Sequence, residues 1–359
     1  MKSCLFTRPV ILPVLALLLG PCAFGQQICS ENAQPTCVAT KADVTGVTVA
    51  QDKADTHTGY TQGVQQLGES IPTKAELLRW IALCEAVARK AEYDHASDVA
   101  VAKLYSSLAV LYDGAAMYGQ SEAAFEHAIS LLRHDPKSSD QLAENIDCLG
   151  SLHALMGKQR QAEKEELEAL KLRQSLGDSL EIARSWDSLS GLYLRKGKYA
   201  TAKDFAQRAM DEFSVNTHAR AVDRILSRFN MSLALCFTKD CPSAIPLLKD
   251  AIDLAKASYR PNDSPMGIGD FLLGYAYWKA GDQSGAAEYM KQGTAIMKEK
   301  LGWAHPTYLN AMSAYARFLR DTRRIEDAES VEHEIRMAEA VVDVHSIQTE
   351  GALSLSGLR

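Results

Sequence analysis

Between residues 104 and 340 one helix-pair pattern returns six times, and that period restricts the chain to a stack of repeating units. Leu108, Leu149, Leu189, Leu233, Leu273 and Tyr315 mark a single repeat position, separated by 41, 40, 44, 40 and 42 residues. The residue after each anchor is small: Ala109, Gly150, Ser190, Ala234, Gly274 and Ala316. Four positions after the anchor stands Tyr112, His153, Tyr193, Phe237, Tyr277 or Leu319. A small residue lets two antiparallel helices approach closely, and a ring one turn on fills the space beside the gap. Gly157, Gly197 and Gly281, eight positions after their anchors, are placed to end the first helix in a left-handed turn. Ala162, Ala202, Ala286 and Ala328, thirteen positions after, begin the inner face of a second helix, which Ala169, Ala209 and Gly293 continue.

These offsets resemble the tetratricopeptide repeat; HEAT and armadillo repeats share the period but not the Gly/Ala/aromatic spacing. The closest likeness is to the long-period, kinesin-light-chain-like variety, in an exported bacterial form. It rests on "LGWAHPTYLNAMSAYARFLRDTRRIEDAE" (Leu301–Glu329) and "LSGLYLRKGKYATAKDFAQRAM" (Leu189–Met210) and extends over roughly two thirds of the chain. The chain departs from that pattern in three extra residues between Tyr112 and Gly119 and in the shortened turn "KDCPSA" (Lys239–Ala244). The Asn-rich helix of that variety is replaced by "IDCLG", "WDSLS" and "NMSLA". The resemblance implies an all-α, right-handed α-solenoid of about six helix pairs over residues 73–342. Leu77, Trp80, Ile81, Cys84, Val87, Ala88 and Ala91 recur at helical spacing after a Thr73/Glu76 capping box, and read as an N-terminal helix closing the first repeat.

The resemblance also implies a concave wall, lined by the first helix of each repeat at offsets −5, −2, +2, +5 and +6 from the anchor. Carried onto this sequence it contributes Glu144, Asp147, Ser151 and Ala154 from the second repeat, and Arg184, Asp187, Gly191 and Arg195 from the third. The fourth adds Arg228, Leu235 and Lys239, the fifth Phe271, Tyr275, Trp278 and Lys279, and the sixth Asn310, Arg317 and Arg320. The wall thus turns from acidic to basic and aromatic. Its candidate partner-binding residues are Arg184, Arg195, Arg228, Lys239, Tyr275, Trp278, Lys279, Arg317 and Arg320, a set suited to an acidic group with an apolar neighbour.

The ends read differently. Lys2 and Arg8, the apolar run Val10–Leu19 and the small-x-small site Ala23-Phe24-Gly25 make residues 1–25 a signal peptide. Its apolar run is half a bilayer long, so no lasting span follows cleavage. Residues 26–72 lack periodicity and read as a disordered arm, and residues 343–359 as a disordered tail. An exported chain is expected in the periplasm or outside the cell, where disulfides are possible. Cys236 and Cys241 end a helix and its turn, near enough to bridge, and Cys29 and Cys37 form a second candidate pair.

A net charge of −6 over 359 residues, with both signs mixed along every helix, leaves no footprint for nucleic acid. His333-Glu334 is followed by Met337 where a zinc-protease helix needs its second His. Leu272 stands where a dinucleotide loop beginning at Gly267 needs Gly or Ala, and no Gly-x-Ser-x-Gly or Gly-Lys-Ser/Thr loop follows residue 25. No cofactor or metal is expected. The sequence thus leads to an exported, non-catalytic scaffold that binds another protein or a peptide. The alternative is an enzyme or small-ligand receptor built on the same solenoid, its ionisable groups drawn from the wall or from Glu122, His127 and His134.

Overall fold

The structure, a computed structural model, describes residues 74–355 apart from Ala116 and Ala304. The leader, the arm and the Cys29/Cys37 pair lie outside the described residues. Thirteen α-helices run in chain order: α1 Lys74–Tyr93, α2 Asp98–Gly114, α3 Tyr118–Leu132, α4 Ser139–Leu155, α5 Gln159–Leu176, α6 Ser179–Arg195, α7 Tyr199–Val215, α8 Ala221–Phe237, α9 Cys241–Ser258, α10 Ser264–Ala280, α11 Gln283–Leu301, α12 Pro306–Asp321 and α13 Ile325–Leu355. Each helix packs on the next, giving an all-α solenoid of six pairs, α2/α3 to α12/α13, with α1 against the first. The last helix runs past the boundary drawn at Val342. None of the described helices is long and apolar enough to cross a membrane.

Turn chemistry sets the helix ends. Asp178 accepts the backbone N–H groups of Leu180 and Glu181 at 2.9 and 3.2 Å, and Asp282 accepts those of Ser284 and Gly285. Gly157, Gly197 and Gly281 take φ of 76°, 70° and 93° in the left-handed turns between the helices of a pair. Where those turns lack glycine, Lys239 (φ 68°) and Arg323 (φ 62°) are forced into the same conformation. In the fourth repeat a Cys236–Cys241 disulfide closes that turn.

The small residues do what their spacing suggests. Ser190, one after its anchor, donates its hydroxyl to the carbonyl of Ala202, thirteen after it, at 2.8 Å; Ser121 and Ala109 repeat that bond from the opposite side. The closest pair is the fifth. A Cβ on Gly274 would stand 2.6 Å from the Met290 nitrogen, and one on Gly293 would stand 2.5 Å from that of Phe271. The ring position faces the second helix of its own repeat: Tyr193 stacks on Phe205 and Tyr277 on Tyr289, with centroids 5.6 and 5.7 Å apart.

First helices also meet across repeats, α4 on α6, α6 on α8 and α8 on α10. No pair of second helices does so to the same extent among the described residues, so the first helices form the inner side of the curve.

Candidate partner-binding wall

Along α2, α4, α6 and α8 the inner wall is a ladder of polar links between neighbouring repeats. Ser106 on α2 donates to Asn145 Oδ1 on α4 at 2.6 Å. Arg173 reaches in from α5, donating to Asp147 on α4 at 3.0 Å and to the Ser185 hydroxyl on α6 at 2.7 Å, with Glu181 at 3.4 Å. Asn230 on α8 donates to Asp187 on α6 at 2.8 Å. Arg184 forks onto both oxygens of Asp223 at 3.2 and 3.0 Å, and also pairs with Glu181. Each rung ties one repeat to the next.

Burial sets the charge states here. Asp223 is pushed up by burial, but hydrogen bonds from Arg220 and Arg184 outweigh it and hold the carboxyl below its ordinary range. Asp187 has only Asn230 to offset its burial and rises to about 7. Glu144, offset by Arg173, also rises to about 7.

From α7 to α12 the wall becomes aromatic. Tyr199, Phe237, Tyr275, Trp278 and Phe318 form a chain of ring contacts with successive centroids 4.7, 6.4, 5.7 and 5.8 Å apart. Tyr275 and Phe318 are buried, whereas Tyr199, Phe237 and Trp278 are half-buried. Lys279 places its ammonium 3.4 Å from the Trp278 ring centre and 5.5 Å from that of Tyr275. Partial burial against these rings, with Arg317 nearby, lowers the Lys279 pKa. The same burial raises that of the Tyr275 phenol, opposed by Arg317.

Of the residues expected on the wall, the structure brings four together: Tyr275, Trp278, Lys279 and Arg317. The others are engaged elsewhere. Arg184 is locked between Glu181 and Asp223. Arg195 is buried, close enough to Glu166 to favour that group's charged form. Arg228 donates to the carbonyl of Arg224 in its own helix at 2.8 Å. Lys239 occupies its left-handed turn, exposed. Arg320 forks onto Glu332 of α13 at 2.7 and 2.8 Å. Of Arg228, Lys239, Tyr275, Lys279 and Arg317, all at wall offsets, only the last three converge, because a carbonyl of its own helix claims Arg228 and turn geometry claims Lys239. Phe237, Tyr199 and Phe318 were not expected in the wall, although Phe237 occupies the repeat's ring position.

The groups that an enzyme reading would use sit apart from this cluster. Glu122 accepts from Lys158 at 2.5 Å and contacts His153 Nε2 at 2.9 Å, while Glu165 contacts His153 Nδ1 at 2.7 Å. His153 is buried, 2 % exposed, and fills the ring position of its repeat. His127 faces Glu92 and Tyr105 at the first repeat. Among the described residues no group of His, Cys, Asp and Glu is arranged to hold a metal ion.

No family model matches the chain, and no curated protein matches it. Solved structures do. The apo form of RapI superposes with a TM-score of 0.63 at 12 % identity, over 79 % of this chain and 96 % of RapI. BtubC (BKLC) of P. vanneervenii gives 0.51 at 19 % identity, over 63 % and 92 %. A Rap protein complexed with competence and sporulation factor gives 0.51 at 15 % identity, over 75 % and 77 %. At these identities the likeness concerns the fold.

Proposed function

We propose, from the premise that this chain is a solenoid of tetratricopeptide type, that it is a protein-binding scaffold whose contact surface is the aromatic and basic stretch of the inner wall on α10 and α12. One observation carries the assignment. Arg173, Arg184 and Arg320 are each tied to carboxylates, whereas among the described residues Lys279 and Arg317 form no ion pair and stand beside Trp278 and Tyr275. A cation held against rings, with only the more distant Asp321 carboxylate bearing on it, is set to receive a closer one. The matching partner is a protein or peptide segment presenting a carboxylate next to an apolar side chain. A Rap protein of similar fold has been seen complexed with competence and sporulation factor, which supports a protein or peptide as the class of partner. The leader-like residues 1–25 support placing the scaffold in the periplasm or outside the cell.

A peptide array tests the reading. Acidic peptides with an apolar neighbour should bind the chain, weaken as salt rises, and lose binding to a Lys279→Glu/Arg317→Glu variant. Binding indifferent to salt and to both substitutions would place the contact surface elsewhere.

A further inference from the structure

Asp147 on α4 and Glu166 on α5 are held together in the packed interior of the second repeat. Glu166 is fully buried, and its Oε1 accepts from Ser151 at 3.2 Å. Its Oε2 and Asp147 Oδ1 are both buried and, if both carboxyls are ionised, neither has a donor. Yet the two carboxyls face each other: Ser151, one turn on from Asp147 in α4, donates to Glu166, and Arg173, two turns on from Glu166 in α5, donates to Asp147. Two facing carboxylates in a dry site repel; one proton between them supplies the missing donor and satisfies both oxygens.

The surrounding charges favour keeping that proton. Glu166 is faced by Arg173 of its own helix, Arg195 of α6 and Asp147 of α4. Glu144 of α4 and Glu181 of α6 bear on Arg173, while Asp187 of α6 feels Asp147 and Asp223 of α8. Across this junction six carboxyls, Glu144, Asp147, Glu166, Glu181, Asp187 and Asp223, meet four guanidiniums, Arg173, Arg184, Arg195 and Arg220. The excess is negative, so a fully ionised junction holds more anions than it can pair.

We propose that the contact between the second and third repeats is a proton-dependent joint: Glu166 carries a proton that it donates to Asp147, and withdrawing it loosens α4, α5 and α6 while leaving the aromatic half packed. The acidity of the site agrees. Burial first, and then the Asp147 charge, push the Glu166 carboxyl well above its ordinary range. A carboxyl whose folded pKa is raised contributes stability that is complete below its unfolded value and disappears as pH rises through the folded one. The loss therefore begins above the ordinary glutamate range and extends toward neutrality, where Asp187 and Glu144, each at about 7, add to it.

Hydrogen exchange at a series of pH values, corrected for the intrinsic exchange rate, tests the joint. Protection in α4 to α6 should fall as pH rises, with Glu166 adding up to tenfold per pH unit to what Glu144 and Asp187 contribute, and protection in α10 to α12 should stay level. Glu166→Gln carries its own N–H donor toward Asp147, so its protection in α4 to α6 should fall less steeply than the wild type's, by the Glu144 and Asp187 contributions alone. If that variant fails to fold, Asp147→Asn donates from the other side and should flatten the profile in the same way. A wild-type profile parallel to the variant's, or a loss shared equally by both halves, overturns the proposal.

Discussion

The junctions of repeats two to four and those of repeats four to six join the same kind of helix by opposite means. In the first set, buried charges and amides cross from one repeat to the next: Arg173, anchored on Asp147 of its own repeat, to Ser185, Asn230 to Asp187, Arg184 to Asp223. In the second, rings cross: Phe237 to Tyr275 and Trp278 to Phe318. Polar rungs demand a fixed register, because a buried donor moved by an ångström leaves its acceptor unsatisfied. Ring contacts tolerate small shifts at little cost. The half that fixes register has its cations consumed; the half held by rings leaves Lys279 and Arg317 available.

Arg173→Met gives the sharpest break in that contrast. It strands Asp147 beside Glu166 and should destabilise the second and third repeats by about 3–5 kcal/mol, read as local loss of exchange protection. A uniform loss along the solenoid would mean the two halves are not separately held. Gly293→Ala is the matching test on the aromatic side. Its methyl meets backbone at 2.5 Å and should cost about 1–3 kcal/mol in denaturant unfolding, confined to α10 and α11. A smaller loss, about 1–2 kcal/mol, is expected for Asn230→Ala, which removes the donor to Asp187. That variant should also make stability more sensitive to rising pH, since an Asp187 without its donor has less to favour ionisation. Least of all, Lys279→Glu with Arg317→Glu should leave stability within about 0.5 kcal/mol while altering binding. A large loss there would make those cations part of the packing.

Much of this arrangement is legible in the residues themselves. The Ser190 to Ala202 bond joins the two positions that the anchor spacing pairs, and three of the left-handed turns carry glycine. The assignment of cations is not legible, for a physical reason. Whether Arg184 faces solvent or salt depends on Asp223, 39 residues away in another repeat, and that pairing exists only once repeats stack. Arg173 belongs to a second helix, so an inventory of wall positions taken from first helices misses the group that organises the polar half. Tyr275 occupies a wall offset but is roofed by Trp278 and Phe237, which burial in a curved stack decides and spacing does not. Lys239 also has a wall offset; the fourth repeat's shortened turn takes it for a backbone role instead.

The Lys279 ammonium lying 3.4 Å from the Trp278 ring centre has an optical consequence. Excitation moves charge across an indole, so a cation fixed on its face shifts the colour of the emitted light. A carboxylate of the proposed partner would draw that ammonium off the ring and remove the shift. With Trp80, Trp186 and Trp303 replaced by phenylalanine, the chain should become its own label-free reporter of the proposed binding, Trp278 emitting at one wavelength with the groove empty and at another with it filled.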